Sequence, residues 1–215
     1  MNRKLIGYYI GSIIVMIIFT SAIGSAAGSR NISPMVFTSE NKKVQIYGNL
    51  VIYVAIFIML IFGVASKNVY LSNTFYILFL GLLSLLMYSL VKVFNGNEIR
   101  SSMMMTMGMI SVVSVAALTI GDKFDKKYYK YAIIALTMLI VTRLVMIAFD
   151  DDKLTASGKW QKTFAAAGLV IFIVLMFYDV LVADVKNITN YPMAVMDMVL
   201  NTVNIFSKIL ILNDS

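Results

Sequence analysis

Asp197, Asn201, Asn204 and Lys208 fall at i, i+4, i+7 and i+11 in the last apolar segment of this chain. At about 100° per residue, that spacing returns all four to one face of a helix. A second carboxylate, Asp179, stands inside the preceding apolar run, Leu175-Met-Phe-Tyr-Asp-Val-Leu-Val. In hydrocarbon such groups are costly, turn toward a bundle interior or a water-filled cavity, and mark function by default. Carboxylate and amide oxygens together suit a hard cation such as Ca²⁺. The candidate cation ligands are therefore Asp179, Asp197, Asn201 and Asn204, converging if the last two helices pack antiparallel. An ionised Asp179 in that setting needs a cation, water or a proton. A competing reading puts Asp179 at a helix end near the headgroups, because Asp184 follows closely, and makes Asn201, Thr202 and Asn204 interhelical hydrogen-bonding groups.

The elements that must position these residues are membrane spans. Of 215 residues, 60% are hydrophobic and 13% charged, with a mean hydropathy of +0.85. Soluble domains run at about 45–50% apolar and about 25% charged. Apolar blocks of about twenty residues match about 30 Å of hydrocarbon. Seven spans are predicted: Leu5–Ile23, Val44–Ala65, Val69–Phe94, Ser102–Ile120, Tyr131–Phe149, Thr163–Val185 and Tyr191–Leu212. The fold expected is an all-α, polytopic seven-helix bundle forming one transmembrane domain over residues 1–215. Pro34 and Pro192 both lie outside span interiors, so proline-broken helices are not expected.

Arg3-Lys4, an apolar run and Ser25-Ala26-Ala27-Gly28 imitate a secretory signal peptide, but the apolar run is long for one. Loop charges tie between the two sides. Arg3, Lys4 and the dense cluster Lys123–Lys130 favour a cytoplasmic N-terminus, with Asp150-Asp151-Asp152 opposite. The net charge of +7 sits in short loops and reads as membrane-surface charge, not as a nucleic-acid footprint.

There is no cysteine and no histidine. That excludes disulfides, thiolate chemistry, metal or haem sites built on those ligands, and a histidine switch. No phosphate-binding glycine loop or nucleophile–base pair is present, so an enzyme is not expected, and no cofactor is called for. Asn31-Ile-Ser and Asn187-Ile-Thr match the glycosylation acceptor pattern but fall on opposite sides of the membrane and read as chance matches. Met103, Met104, Met105, Met107 and Met109 could pass a soft cation such as Cu(I), although flexible packing is the simpler role. Lys208 in a seventh helix also fits the plan of a retinal-binding microbial rhodopsin. Against that, the third span lacks a counter-ion carboxylate, and a lysine near a helix end snorkels.

Tyr178-Asp179, followed by Tyr191-Pro-x-Ala-x6-Asn201-x-x-Asn204-x-Phe206-x-x-Ile209-Leu210, resembles the C-terminal signature of the Bax inhibitor-1 family, the transmembrane Bax-inhibitor-motif proteins. The specific part covers about residues 175–211, and the form of the tail looks most like divergent members carried by large DNA viruses. The resemblance implies six helices around a central seventh. It implies a Ca²⁺ leak across an internal membrane (endoplasmic reticulum, Golgi or virion) or a bacterial plasma membrane, gated by protonation of a carboxylate pair. In eukaryotic and viral members it implies suppression of cell death, with cell-death regulators as partners beside the lipid bilayer.

The first member of that pair maps to Asp179. The second falls on Asn201, which cannot share a proton with Asp179, although its carbonyl could still meet a cation. Asp197, one turn away and about 6 Å along the axis, is the stand-in. No arginine in the second span is available to latch a carboxylate. The nearest intramembrane cations by sequence are Arg143 and Lys208. The alternative function is a non-transporting structural or interaction protein that keeps the fold.

Overall fold

In a computed structural model, the chain is described at residues 3–30, 51–52, 54–59, 61–62, 68–91, 94–120, 125, 127–148, 158–185 and 191–213. Every regular element there is a helix. We number them α1 (Arg3–Arg30), α2 (Val69–Val91), α3 (Gly96–Ile120), α4 (Lys127–Ala148), α5 (Gly158–Val185) and α6 (Tyr191–Asn213). The described residues between 51 and 62, inside the expected span Val44–Ala65, are helical as well. Among the described residues, five stretches are long and apolar enough to cross a membrane: Leu5–Ser25, Tyr70–Tyr88, Gly96–Thr119, Gln161–Val182 and Val195–Asn213.

Several helices begin before the apolar run that announces them, and polar caps explain why. Glu98 caps the start of α3: the Asn95 amide donates to Glu98 Oε2 at 3.0 Å, and the Ile99 amide donates to the Asn95 carbonyl at 3.0 Å, the first bond of the helix. The helix thus starts six residues before the expected Ser102. Asp125 does the same for α4, its Oδ1 accepting from the Lys127 amide at 2.9 Å. Asn68 opens α2, its side chain accepting from the Tyr70 amide at 2.9 Å and its carbonyl from the Ser72 amide at 2.9 Å. Inside the spans, hydroxyls bond back to the preceding turn, as Thr20 does to the Met16 carbonyl at 2.8 Å and Thr106 to that of Ser102 at 2.7 Å. Such local bonds satisfy a hydroxyl where no water is present.

The helices pack in two compact units that interleave along the chain. One takes in Asn2–Val93 and Asn187–Leu200; the other takes in Phe94–Lys186 and Asn201–Ser215, with Met1.

In the first unit α1 and α2 pack along their length. Ser12 meets the Tyr76 hydroxyl, Thr20 reaches the Ser84 carbonyl at 3.5 Å, and Gly24 faces the Tyr88 ring. The offset stays at 64 residues, so the two helices run parallel. Ser84 is fully buried and donates to the Leu80 carbonyl at 2.7 Å and the Met16 carbonyl at 3.3 Å. Tyr8 stacks on Tyr191 with centroids 5.5 Å apart.

In the second unit α5 is packed by both α3 and α4. The C-terminal half of α6 lies against α5 and meets the start of α3, where Asn213 Nδ2 donates to Ser102 Oγ at 3.0 Å. Ala165, Gly168, Phe172, Leu175 and Met176 are buried on α5, and Asn201, Val203, Ile205, Phe206, Ile209 and Leu210 are buried on α6. Burial on nearly every side of α6 marks a helix with protein around it rather than one with a single lipid-facing stripe.

Candidate functional site

Asp179 and Asn201 meet in the second unit. Asn201 Nδ2 donates to Asp179 Oδ2 at 2.6 Å, with Asn201 buried and Asp179 half-buried. The contact fixes the amide orientation, because the nitrogen must face the carboxylate.

A second contact sets the direction of packing. A Cβ built on Gly168 would lie 3.0 Å from Lys208 Cε, with Cδ and Cγ at 3.5 and 3.7 Å. The lysine stem therefore runs across the bare backbone of α5 at Gly168. Residue 179 pairs with 201 and residue 168 with 208, so α5 and α6 run antiparallel. The helical arithmetic agrees: Gly168 and Asp179 are separated by a rotation of about 20°, as are Asn201 and Lys208. Each helix thus presents both contact residues on one face.

Tyr178 points elsewhere. Its ring stacks on Tyr129 of α4, with centroids 4.0 Å apart and planes 22° apart. Successive residues on a helix diverge by about 100°, so the Tyr178-Asp179 dipeptide docks one side chain on α4 and the next on α6.

The remaining candidates are placed as follows. Asn204 is half-buried on α6, in the same unit as Asp179 and Asn201, and its carbonyl accepts from Ser207 Oγ at 2.8 Å. Asp197 belongs to the other unit and is exposed. Lys208 is half-buried, its stem held over Gly168. Met104, Met105 and Met107 are exposed, and Met105 Sδ accepts from Asn213 Nδ2 at 3.6 Å. Asn31, Asp150–Asp152 and Asn187 lie outside the described residues, as do Pro34 and the flanking Lys123 and Lys126. No group of three or more acidic, histidine or cysteine side chains is assembled among the described residues. A groove of about 450 Å³ in the first unit is lined by Gly7, Tyr8, Gly11, Ser12, Val15, Tyr76 and Leu80; with no carboxylate or amide in it, it offers a cation little.

Gly168, Tyr129 and Ser102 escape a reading of the sequence. The small run Ala165-Ala-Ala-Gly168 signals close helix approach in hydrocarbon, though not which helix approaches. Tyr129 sits in Lys127-Tyr-Tyr-Lys130, which has the look of an interfacial aromatic cluster.

Long apolar helices, hydroxyls bonded to their own backbone and a carboxylate–amide pair inside the helical packing define an integral, polytopic helical membrane protein. The particular family follows from the chain as a whole: a family model described as "Inhibitor of apoptosis-promoting Bax1" matches residues 6–214, and the protein belongs to that family, the Bax inhibitor-1 family. No curated protein and no solved structure matches the chain.

Proposed function

We propose that the protein passes or regulates Ca²⁺ across an internal membrane, with Asp179 as the cation-sensing carboxylate and Asn201 and Asn204 beside it on the path. The observation that carries this reading is the Asn201–Asp179 hydrogen bond at 2.6 Å, within two helices apolar enough to span a bilayer. Family membership adds weight. The cation is cargo, not a resident cofactor. Ca²⁺ takes six to eight oxygens at about 2.3–2.6 Å, and one carboxylate with two amide carbonyls falls short of that number. A site that offers few oxygens lets the ion go, as conduction requires.

In this reading the fold is a bundle of seven helices with α6 at its centre. Two observations support it. The last span has the highest buried share of the five, 56%, against 11–39% for the others. The parallel course of α1 and α2 also calls for a return crossing between them, the stretch in which residues 51–62 are helical.

The pair has its own pH logic. Two carboxylates within hydrogen-bond distance hold together only while they share a proton. Asn201 carries its N–H at every pH, so its bond to Asp179 does not depend on one. The pair thereby stays together without a shared proton, and the protein's Ca²⁺ leak is slow and flat with pH.

The same substitution favours a second reading, in which the fold is retained and transport lost. The protein then acts in an organelle or virion membrane by binding cell-death regulators. Ca²⁺ entry into liposomes containing the purified protein separates the two. Entry above protein-free liposomes that changes in Asp179→Asn supports the first reading. Background entry together with stable co-purification of a partner supports the second.

A further inference from the structure

We infer that Tyr129 of α4 is the positioning residue for the Asp179–Asn201 pair, acting through its stack on Tyr178. The inference deepens the reading of that pair as the working site, and rests on it.

The argument is one of rotation. A helix side chain ends about 6 Å from the helix axis. A turn of α5 by about 20° about its own axis would sweep the Asp179 carboxylate through about 2 Å. A donor–acceptor distance of 2.6 Å does not survive that displacement. Something must therefore hold α5 in rotation at the level of Asp179.

Gly168 does not serve, because it lies 11 residues away and faces the flexible stem of Lys208. The neighbours of Asp179 on its own helix, Phe177 and Val180, are buried and add apolar packing at this level. The Tyr129–Tyr178 stack is different. It is at the right level, one residue from Asp179, and its rings are nearly parallel at 4.0 Å. Stacked rings lose overlap when either helix turns, so the pair resists rotation as well as separation.

The position of Tyr129 within α4 supports the assignment. Lys127, Tyr128, Lys130 and Tyr131 around it are all exposed, whereas Tyr129 is half-buried and engaged with α5. It alone in that cluster turns inward.

The chain contains no cysteine, so position can be read by cross-linking introduced pairs in membranes, without any measurement of flux. Asp179→Cys with Asn201→Cys reports the rotation of α5. Ser102→Cys with Asn213→Cys, a contact at 3.0 Å elsewhere in the unit, is the control. With a short bifunctional thiol reagent, Tyr129→Ala should slow cross-linking of the 179/201 pair by about threefold to tenfold, the value of an aromatic pair converted to a ratio. Tyr129→Phe, which keeps the stack, should restore the original rate, and the control pair should be unaffected by either change. Should Tyr129→Ala fail to accumulate, Tyr129→Leu carries the same expectation. An unchanged 179/201 rate overturns the proposal, and so does equal slowing of both pairs, which would make Tyr129 merely structural. Absence of Ca²⁺ flux with the cross-linking result intact would count against the transport reading alone.

Discussion

Asn201 Nδ2 lies 2.6 Å from Asp179 Oδ2, across the seam between the last two helices. A carboxylate among apolar helices has found an amide donor that no pH change removes. Asn201 thus supplies the hydrogen that a carboxyl partner would supply only when protonated.

Replacing Asn201 by alanine should leave the Asp179 carboxylate short of its donor. Loss of a hydrogen bond to a charged group is worth about 1.5–3 kcal/mol. Thermal unfolding of the purified protein in detergent should shift down accordingly. Asn201→Asp should restore the bond only when the pair holds a proton. That variant should therefore be most stable in acid and lose stability as pH rises and the proton leaves, while the original chain shows no such loss.

Gly168 is predicted to be size-limited. Alanine there meets the far end of the Lys208 stem at 3.0 Å, which can swing aside, and it gains up to about 1 kcal/mol in helix propensity. Gly168→Ala should thus be nearly neutral. Gly168→Leu has to push α5 and α6 apart and should cost about 1–3 kcal/mol. Lys208→Ala added to Gly168→Leu should recover part of that loss, as read by the melting temperatures of the single and double variants.

The α1–α2 seam should tolerate the loss of one hydroxyl. Tyr76→Phe removes the bond to Ser12, whose Oγ still donates to the Tyr8 carbonyl at 2.5 Å. The cost should be about 0.6 kcal/mol, the average for hydrogen bonds between spans. Tyr76→Ala also empties a buried ring site and should cost several times more, about 3–5 kcal/mol. Denaturation of the two variants side by side gives the comparison.

Parallel α1 and α2 make a topological prediction. Cysteines placed at Arg3 and Asn68 should label from the same side of the membrane with an impermeant thiol reagent, and one at Asn95 from the opposite side. Labelling of Arg3→Cys and Asn68→Cys from opposite sides would contradict a return crossing between the two helices.

Much of this was open to reading from the residues, and the exceptions share a cause. Long apolar runs announce spans because hydrocarbon leaves a helix few alternatives. The helices α3 and α4 start ahead of their apolar runs because capping groups such as Asn95, Glu98 and Asp125 are polar and lie outside those runs. The Asp179–Asn201 contact was anticipated because two polar groups in adjacent spans need partners. Asp197 shares their helical spacing and is exposed; spacing gives a common face but not what packs against each turn. Tyr129 and Gly168 matter only through their neighbours, Tyr178 and Lys208, which lie 49 and 40 positions further along the chain. No local pattern encodes such a pairing.

The most direct test is the rate of Ca²⁺ entry into proteoliposomes, measured from acid to neutral pH for the original chain, Asp179→Asn and Asn201→Asp. The account predicts entry above protein-free liposomes that is flat with pH, altered by Asp179→Asn, and made pH-dependent by Asn201→Asp. Entry no greater than in protein-free liposomes, or a steep pH dependence in the original chain that Asn201→Asp leaves unchanged, would contradict it.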